Sequence, residues 1–155
     1  MTLLVAAPGR TELQLEHLLL DVNGTLADRG QLLDGVEPRL RELRSVLDIH
    51  IISADTFGTI DEIAEQLGGL PVERISSGKD KSAFATRLDP ATCSAIGNGA
   101  NDEQMLTTVA LGFAVLGREG AAPRTVAAAD VVATSVLTIL DLLLDPKALV
   151  ATLRT

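Results

Sequence analysis

A short apolar stretch that ends in a carboxylate constrains this chain more than any other feature. The run His17–Leu20 leads into Asp21, and the pair Asn23-Gly24 follows at once. An apolar run this short, bounded by a turn signal, is typical of a buried strand. Open α/β sheets bind their ligands at the carboxyl ends of such strands, so Asp21 is the first candidate site residue. The same residues are also compatible with a structural strand followed by an ordinary Asn-Gly turn, without a binding site.

The composition excludes several classes of protein. The chain has 155 residues, 46% of them hydrophobic and 22% charged, which is typical of one globular domain over residues 1–155. A net charge of −8 argues against nucleic acid as a partner, since such binding depends on neutralising phosphates. The single cysteine, Cys93, excludes an internal disulfide. No segment predicts a signal peptide or a membrane span, so we expect a cytoplasmic protein without a membrane partner.

Apolar periodicity predicts strands and helices that alternate along the chain. This order predicts an α/β fold, a three-layer, doubly wound, mostly parallel sheet with helices on both faces. His50 and Cys93 fall inside predicted strands, where we expect structural roles. The predicted elements are hairpins at 2–16 and 26–35, strands at 17–21, 48–53, 71–75, 92–96, 111–116 and 130–134, helices at 35–47, 59–67, 103–110, 121–129 and 137–144, a helix from Asp80 or Ser82 to Pro90, and an amphipathic turn after Pro146.

Polar residues follow several of the predicted strands. Ser53 ends the second strand of the sheet, a loop and helix carrying Lys81 come later, and the turn GNGAND occupies residues 97–102. Because a doubly wound sheet brings its strand ends to one crevice, we expect these groups to lie near Asp21. Carboxylates, a lysine and glycine-rich backbone are the set that Mg²⁺-assisted phosphoryl transfer requires.

Four segments together resemble the motifs of the haloacid dehalogenase (HAD) superfamily. They are DVNGTL (21–26), IIS (51–53), DKSAF (80–84) and GNGAND (97–102). With the segment ADTFGT, they are most similar to small proteins called soluble P-type ATPase-like phosphatases. The space between the motifs is too short for a large cap domain. The resemblance implies a Rossmann-like HAD fold with a short β-hairpin flap, and a Mg²⁺-dependent phosphatase that acts through an aspartyl-phosphate on a small phosphorylated molecule.

The resemblance also implies a role for each matching residue. Asp21 is the implied nucleophile, and Ser53 the implied phosphate-binding residue, helped by backbone N–H groups at Ala54 and Gly24. Lys81 is the implied lysine that offsets the charge of Asp21 and the phosphate, and we prefer it to Lys79 because it heads the KSAF segment. The implied Mg²⁺ ligands are Asp21, the Asn23 carbonyl, Asn98 and Asp102, the last through a water molecule.

Two asparagines depart from the family's pattern. Asn23 stands where a second carboxylate usually protonates the leaving group and then activates water, and an amide cannot carry that proton. We therefore expect slow turnover, best with acyl or aryl phosphates. Asn98 replaces a charged ligand, so we expect weak Mg²⁺ binding.

Other functions remain open at this stage. The same two asparagines are compatible with a catalytically impaired, phosphate-binding or regulatory relative. A phospho-accepting receiver domain matches less well, because Ser76-Ser77 stands where its phospho-accepting aspartate is expected. Capless relatives often cover the crevice with a neighbouring subunit, so we expect a homo-oligomer.

Overall fold

Among the residues that the structure describes, ten short strands are present, and six of them form one parallel sheet. The computed structural model describes residues 1–75 and 77–155. The sheet has the order β10-β9-β8-β3-β6-β7, with β1 pairing β2 and β4 pairing β5 as separate antiparallel hairpins. In chain order the strands are β1 (Leu3–Val5), β2 (Leu13–Leu15), β3 (His17–Asp21), β4 (Ala27–Asp28), β5 (Gln31–Leu32), β6 (Asp48–Ser53), β7 (Val72–Arg74), β8 (Cys93–Gly97), β9 (Leu111–Val115) and β10 (Val131–Ala133).

Helices cover both faces of this sheet, which confirms the predicted fold class. Phe113 lies in the larger apolar core, which packs under α1, α2, α6 and α7, and Phe84 lies in the smaller core, under α3 and α4. Both cores contain strand residues, because alternate side chains of a strand point to opposite faces. The helices are α1 (Val36–Leu43), α2 (Ile60–Gln66), α3 (Gly78–Leu88), α4 (Glu103–Thr108), α5 (Pro123–Ala128), α6 (Val136–Leu144) and α7 (Pro146–Leu153).

The order of the strands places a crevice beside Asp21. The chain runs from β3 outward through β6 to β7, and then returns to β8 on the other side of β3. This reversal is the topological switch point at which open α/β sheets bind ligands. The flap β4–β5 follows β3 directly, as predicted, so it lies next to the carboxyl end of the central strand.

Three element boundaries differ from the predictions. The helix α3 begins at Gly78 rather than at Asp80 or Ser82, because the Ser77 hydroxyl accepts a hydrogen bond from the Asp80 N–H at 3.1 Å and caps the helix. The helix α1 ends at Leu43 rather than at 47, where the chain tightens into turns. The last segment is a full helix, α7, rather than a single turn. Ser76, predicted in a polar loop, lies outside the described residues.

The role of Cys93 and the absence of a membrane-spanning helix were also predicted from the sequence. Cys93 is fully buried, and burial raises the pKa of its thiol to about 11, so it is a small apolar core residue as predicted. Among residues 1–75 and 77–155, no helix has the length and apolar character that crossing a bilayer requires.

A pair of histidines joins two neighbouring strands far from the carboxyl ends. The ring nitrogens His17 Nδ1 and His50 Nε2 lie 3.2 Å apart, and His50 also packs edge-on against Phe84. Burial first, and then the proximity of His17, lowers the pKa of His50 below its ordinary value, although Asp48 and Glu73 act in the opposite direction.

This lowered pKa predicts a pH dependence of stability. The folded chain binds fewer protons at His50 than the unfolded chain does, so the contribution of this site is present above the unfolded pKa of about 6.5 and is lost as the pH falls below it. We expect the free energy of unfolding to fall more between about pH 7.5 and 5.5 in the unmodified chain than in His50→Gln. Urea unfolding at several pH values measures both slopes, and parallel slopes would contradict the prediction.

Candidate active site

A buried lysine between two carboxylates forms the centre of the crevice. Lys81 Nζ donates hydrogen bonds to Asp21 Oδ1 at 2.9 Å and to Asp102 Oδ1 at 2.7 Å. The side chain of Lys81 is 0% exposed. Lys79, the alternative that the sequence left open, is exposed on the same helix. The structure therefore brings Lys81, and not Lys79, to Asp21.

Local structure explains how three separate segments meet at this point. Asp21 is the last residue of β3, Lys81 lies one turn inside α3, and Asp102 ends the turn that follows β8. Asp102 Oδ2 accepts hydrogen bonds from the N–H groups of Asn98 and Gly99, both at 3.0 Å. Both oxygens of Asp102 thus bond to the protein, and one carboxylate holds the turn and the lysine together.

Burial and charge shift the proton equilibria of this cluster. Burial first, and then the charge of Asp102, raises the pKa of Asp21 to about 7, against the opposing effect of Lys81 and the Thr25 hydroxyl. Burial alone would lower the pKa of Lys81, but the two carboxylates raise it above its ordinary value. The lysine is therefore a permanent cation near neutral pH, whereas Asp21 gains or loses its proton there.

Thr25 and Asn98 complete an oxygen-lined side of the site. The Thr25 hydroxyl lies 3.2 Å from Asp21 Oδ2 and 3.4 Å from Asn98 Oδ1. Asn98 Nδ2 donates to the Gly120 carbonyl at 3.1 Å, which turns the amide oxygen toward Thr25. A carboxylate oxygen and an amide oxygen therefore lie on either side of one hydroxyl. Oxygen atoms of these kinds are the ligands that Mg²⁺ prefers.

The two Asn-Gly pairs lie against each other. Gly24 has a φ of +78°, and a Cβ atom there would come within 2.2 Å of Asn98 Nδ2, so only glycine permits this approach. The Gly24 N–H donates to the Ala27 carbonyl at 2.9 Å and is engaged by the start of the flap rather than free for a phosphate. Asn23 is half-buried in the turn directly after Asp21.

Ser53 and Ala54 stand at the end of the neighbouring strand. Asp21 pairs with Ile52 across β3 and β6, so Ser53 lies one residue further along the same edge. Ser53 is buried, and its hydroxyl oxygen accepts a hydrogen bond from the Asp55 N–H at 2.9 Å. Asp55 Oδ1 in turn accepts a hydrogen bond from the Ile60 N–H, in the first turn of α2, at 3.0 Å.

Sequence reasoning assigned no role to two threonines. Thr25 belongs to the first motif, and its position four residues after Asp21 is the only signal that could have placed it. Thr125, on α5, is fully buried and donates to the Gly99 carbonyl at 2.7 Å, so it braces the turn after β8. No sequence signal connects α5 with that turn.

A cavity of about 570 Å³ adjoins the loop that follows Asp21. Gly24 and Thr25 line it, together with flap residues, the loop after β9 and the start of α6. Asp21, Ser53 and Lys81 are not among the lining residues. Within the described chain, no group of three or more histidine, cysteine, aspartate or glutamate side chains could hold a metal ion, so a metal at this site would depend on neutral oxygen donors.

Comparison with known sequences finds similarity over short stretches of the chain. No protein-family model matches the chain. It is 47% identical over 60 residues to uncharacterized protein MJ0073 of Methanocaldococcus jannaschii, covering 39% of this chain and 64% of that protein. It is 49% identical over 39 residues to uncharacterized protein MJ0072 of the same organism, covering 25% of this chain and 89% of that protein. The chain thus spans less than two thirds of the length of MJ0073.

Solved structures show the same fold at low sequence identity. A protein named as a HAD family hydrolase from Streptomyces avermitilis is 20% identical, with a TM-score of 0.67 over 83% of this chain and 84% of that one. The 3-deoxy-D-manno-octulosonate 8-phosphate phosphatase from Moraxella catarrhalis, solved in complex with a magnesium ion, a phosphate ion and a KDO molecule, is 21% identical, with a TM-score of 0.68 over 89% of this chain and 92% of that one. The chain therefore has the fold of the haloacid dehalogenase superfamily, as its four motifs predict.

Proposed function

We propose that this chain is a phosphohydrolase that acts through an aspartyl-phosphate at Asp21. The observation that carries the proposal is the buried Asp21–Lys81–Asp102 cluster at the switch point of the sheet, with Lys81 Nζ 2.9 Å from Asp21 Oδ1. A carboxylate beside a fixed cation, in a crevice that excludes water, is suited to attack a phosphoryl group. The fold that the chain shares with a sugar-phosphate phosphatase supports the same reaction.

The reaction takes place in two displacements. In the first, an Asp21 carboxylate oxygen attacks phosphorus, an O–P bond forms, and the bond to the leaving group breaks with its electron pair on the leaving oxygen. In the second, water attacks phosphorus, the Asp21 O–P bond breaks, and inorganic phosphate departs. Lys81 balances the negative charge of Asp21 and of the phosphoryl oxygens in both steps, and the Ser53 hydroxyl and the Ala54 N–H bind that group.

The donor set fits Mg²⁺ through oxygen atoms. Asp21 and Asn98 present oxygens on either side of the Thr25 hydroxyl, and the carbonyl of Asn23 follows in the same turn. Asp102 contributes through water, because Lys81 and two backbone N–H groups already occupy its oxygens. When bound, Mg²⁺ supplies positive charge that favours ionised Asp21 and neutralises the phosphate. In this set, Asp21 is the carboxylate with an oxygen that neither a lysine nor a backbone N–H group occupies. We therefore expect weak Mg²⁺ binding.

Asn23 sets the rate of this reaction and the kind of leaving group. An amide neither protonates a leaving oxygen nor takes a proton from water, and such assistance contributes about 10²–10⁴-fold. Turnover is therefore slow, and leaving groups that depart as stable anions, such as carboxylates and phenolates, are the best substrates. The substrate of this proposed reaction is a small phosphorylated molecule. The proposed enzyme is a cytoplasmic homo-oligomer that binds neither nucleic acid nor a membrane.

A regulatory protein that binds phosphate without turnover is the second candidate. The neutral side chains of Asn23 and Asn98 favour it, because they remove the acid–base group and one metal charge. Release of phosphate from substrate distinguishes the two candidates, since the regulatory protein binds a phosphate analogue but releases nothing.

A phosphate-release assay with Mg²⁺ and acetyl phosphate tests the proposal. We expect slow release by the unmodified chain, none by Asp21→Asn, and release at least about tenfold faster by Asn23→Asp, because a carboxylate restores proton transfer. Beryllium fluoride should bind the unmodified chain and not Asp21→Asn. Analogue binding without phosphate release would favour the regulatory candidate, and an unchanged or lower rate for Asn23→Asp would refute the role given to Asn23.

Removing the lysine should affect stability and activity together. Lys81→Met leaves two buried carboxylates without their shared cation, which typically costs about 3–5 kcal/mol of unfolding free energy, and should abolish phosphate release. Lys79→Met is the matched control, since it deletes the same group from an exposed position two residues earlier. Urea unfolding and phosphate release measure both effects, and equal effects of the two variants would contradict the role of Lys81.

Restoring a charge at Asn98 should strengthen Mg²⁺ binding. Asn98→Asp adds a carboxylate to the donor set, and we expect the dissociation constant for Mg²⁺ to fall by roughly tenfold. Asn101→Asp adds the same charge to the same turn outside that set and should change binding less. Calorimetric titration measures both, with thermal unfolding to check the lost contact to Gly120, and already tight binding by the unmodified chain would contradict the prediction.

A further inference from the structure

One aromatic side chain stands out by its exposure. The chain has three phenylalanines and no tryptophan or tyrosine. Phe84 and Phe113 are buried, at 6% and 0% exposure, whereas Phe57 is 46% exposed. Aromatic rings have the largest apolar area of any side chain, so the exposed ring of Phe57 offers apolar surface for contact with a bound group.

Phe57 belongs to the loop that follows the phosphate-binding strand. The loop covers residues 54–59, between Ser53 at the end of β6 and the start of α2. The contacts that hold the loop in place include the Asp55 N–H to the Ser53 hydroxyl at 2.9 Å and the Ile60 N–H to Asp55 Oδ1 at 3.0 Å. The ring is thus presented from a backbone that the site itself orders.

The same loop packs directly against the tip of the flap. The Thr59 hydroxyl donates to the Gly30 carbonyl at 2.9 Å. Gly30 has a φ of +81°, and a Cβ atom there would come within 2.8 Å of the Phe57 Cβ, so glycine is required for this approach. The flap follows Asp21 and the loop follows Ser53, and their contact joins the two segments that leave the site.

We propose that Phe57 binds the leaving group and that the substrate is an aryl phosphate, the phosphate monoester of a phenol. The inference rests on the proposed function. A phosphoryl group between Asp21 and Ser53 directs its leaving group outward between the flap and loop 54–59, where the ring of Phe57 offers a planar apolar surface. Phe57 is the apolar side chain that loop 54–59 places beside the flap turn at Gly30.

The identity of the leaving group agrees with the chemistry of Asn23. When Asp21 attacks phosphorus, the P–O bond to the aryl oxygen breaks and its electron pair stays on that oxygen. Phenols have a pKa of about 10, so the phenolate departs as a stable anion and takes its proton from bulk water afterwards. The reaction therefore needs no proton from residue 23, whereas an alkyl phosphate would.

The large cavity beside the nucleophile loop is a poorer place for the leaving group. Its walls include Asp28, Glu119 and Arg118, but neither Asp21 nor Ser53. Leu116, which is 44% exposed, lines that cavity and does not belong to loop 54–59, so its truncation is the control for the loss of an exposed apolar side chain.

The test compares phenyl phosphate with acetyl phosphate, both hydrolysed with Mg²⁺. We expect Phe57→Ala to lower kcat/KM for phenyl phosphate by about tenfold, mainly through KM, because stacking on an aromatic ring contributes an effect of that size. The value for acetyl phosphate, which has no ring, should change less than about twofold. Phe57→Tyr should retain the preference for phenyl phosphate, Phe57→Leu should lose it, and Leu116→Ala should leave both values unchanged.

Three outcomes would overturn this inference. An unchanged ratio of the two kcat/KM values in Phe57→Ala shows that the ring does not contact the leaving group. An equal loss for both substrates, with a change of oligomeric state in light scattering, shows that Phe57 is a contact between subunits. Hydrolysis of neither compound by the unmodified chain, with no binding of beryllium fluoride, refutes the proposed function and this inference with it.

Discussion

The ammonium group of Lys81 holds the crevice together. It lies between two carboxylates, Asp21 and Asp102, at 2.9 and 2.7 Å, with no exposure to solvent. A buried cation of this kind is costly unless both partners are present, and each carboxylate is equally costly without the lysine. The three groups therefore depend on one another, and they join the central strand, α3 and the turn after β8 at a single point.

The surroundings of this cluster follow from the need to satisfy every buried polar atom. Asp102 takes two N–H groups of its own turn, and Thr125 donates to the Gly99 carbonyl of that turn. Among the described residues, no buried side-chain nitrogen or oxygen lacks a hydrogen-bond partner. A network satisfied in this way is rigid, so it holds Asp21 and Lys81 in fixed positions relative to each other.

Much of this fold could be predicted from the sequence, because its signals are local. The apolar run before Asp21, the turn pair after it and the alternation of strands with helices are each contained within a few residues. Boundaries that depend on one capping contact were missed, as at Ser77, where the hydroxyl begins α3 earlier than the apolar pattern indicates. The sequence favoured Lys81 over Lys79 only by its place in the KSAF segment, and the structure confirms that Lys81 reaches Asp21.

Contacts between segments that are distant along the chain could not be predicted from the sequence either. The orientation of Asn98 depends on the Gly120 carbonyl, 22 residues away, and the brace from Thr125 lies 26 residues from Gly99. The contact between Phe57 and the flap joins two loops that carry no shared motif. Each of these is a tertiary contact that involves one or two atoms. Such a contact produces no periodic pattern in the sequence, so no prediction could be made from it.

The formal charges of the site connect its two asparagines. Asp21, Asp102 and Lys81 sum to one negative charge, and carboxylates at positions 23 and 98 would raise this to three. A site with less negative charge repels a phosphate dianion less before any metal binds, because Coulomb repulsion is strong at close range in a crevice that excludes water. The same replacements weaken the attraction for Mg²⁺ and remove the proton donor. Under the proposed function, the two asparagines therefore favour capture of the phosphoryl group by Asp21 over its release to water.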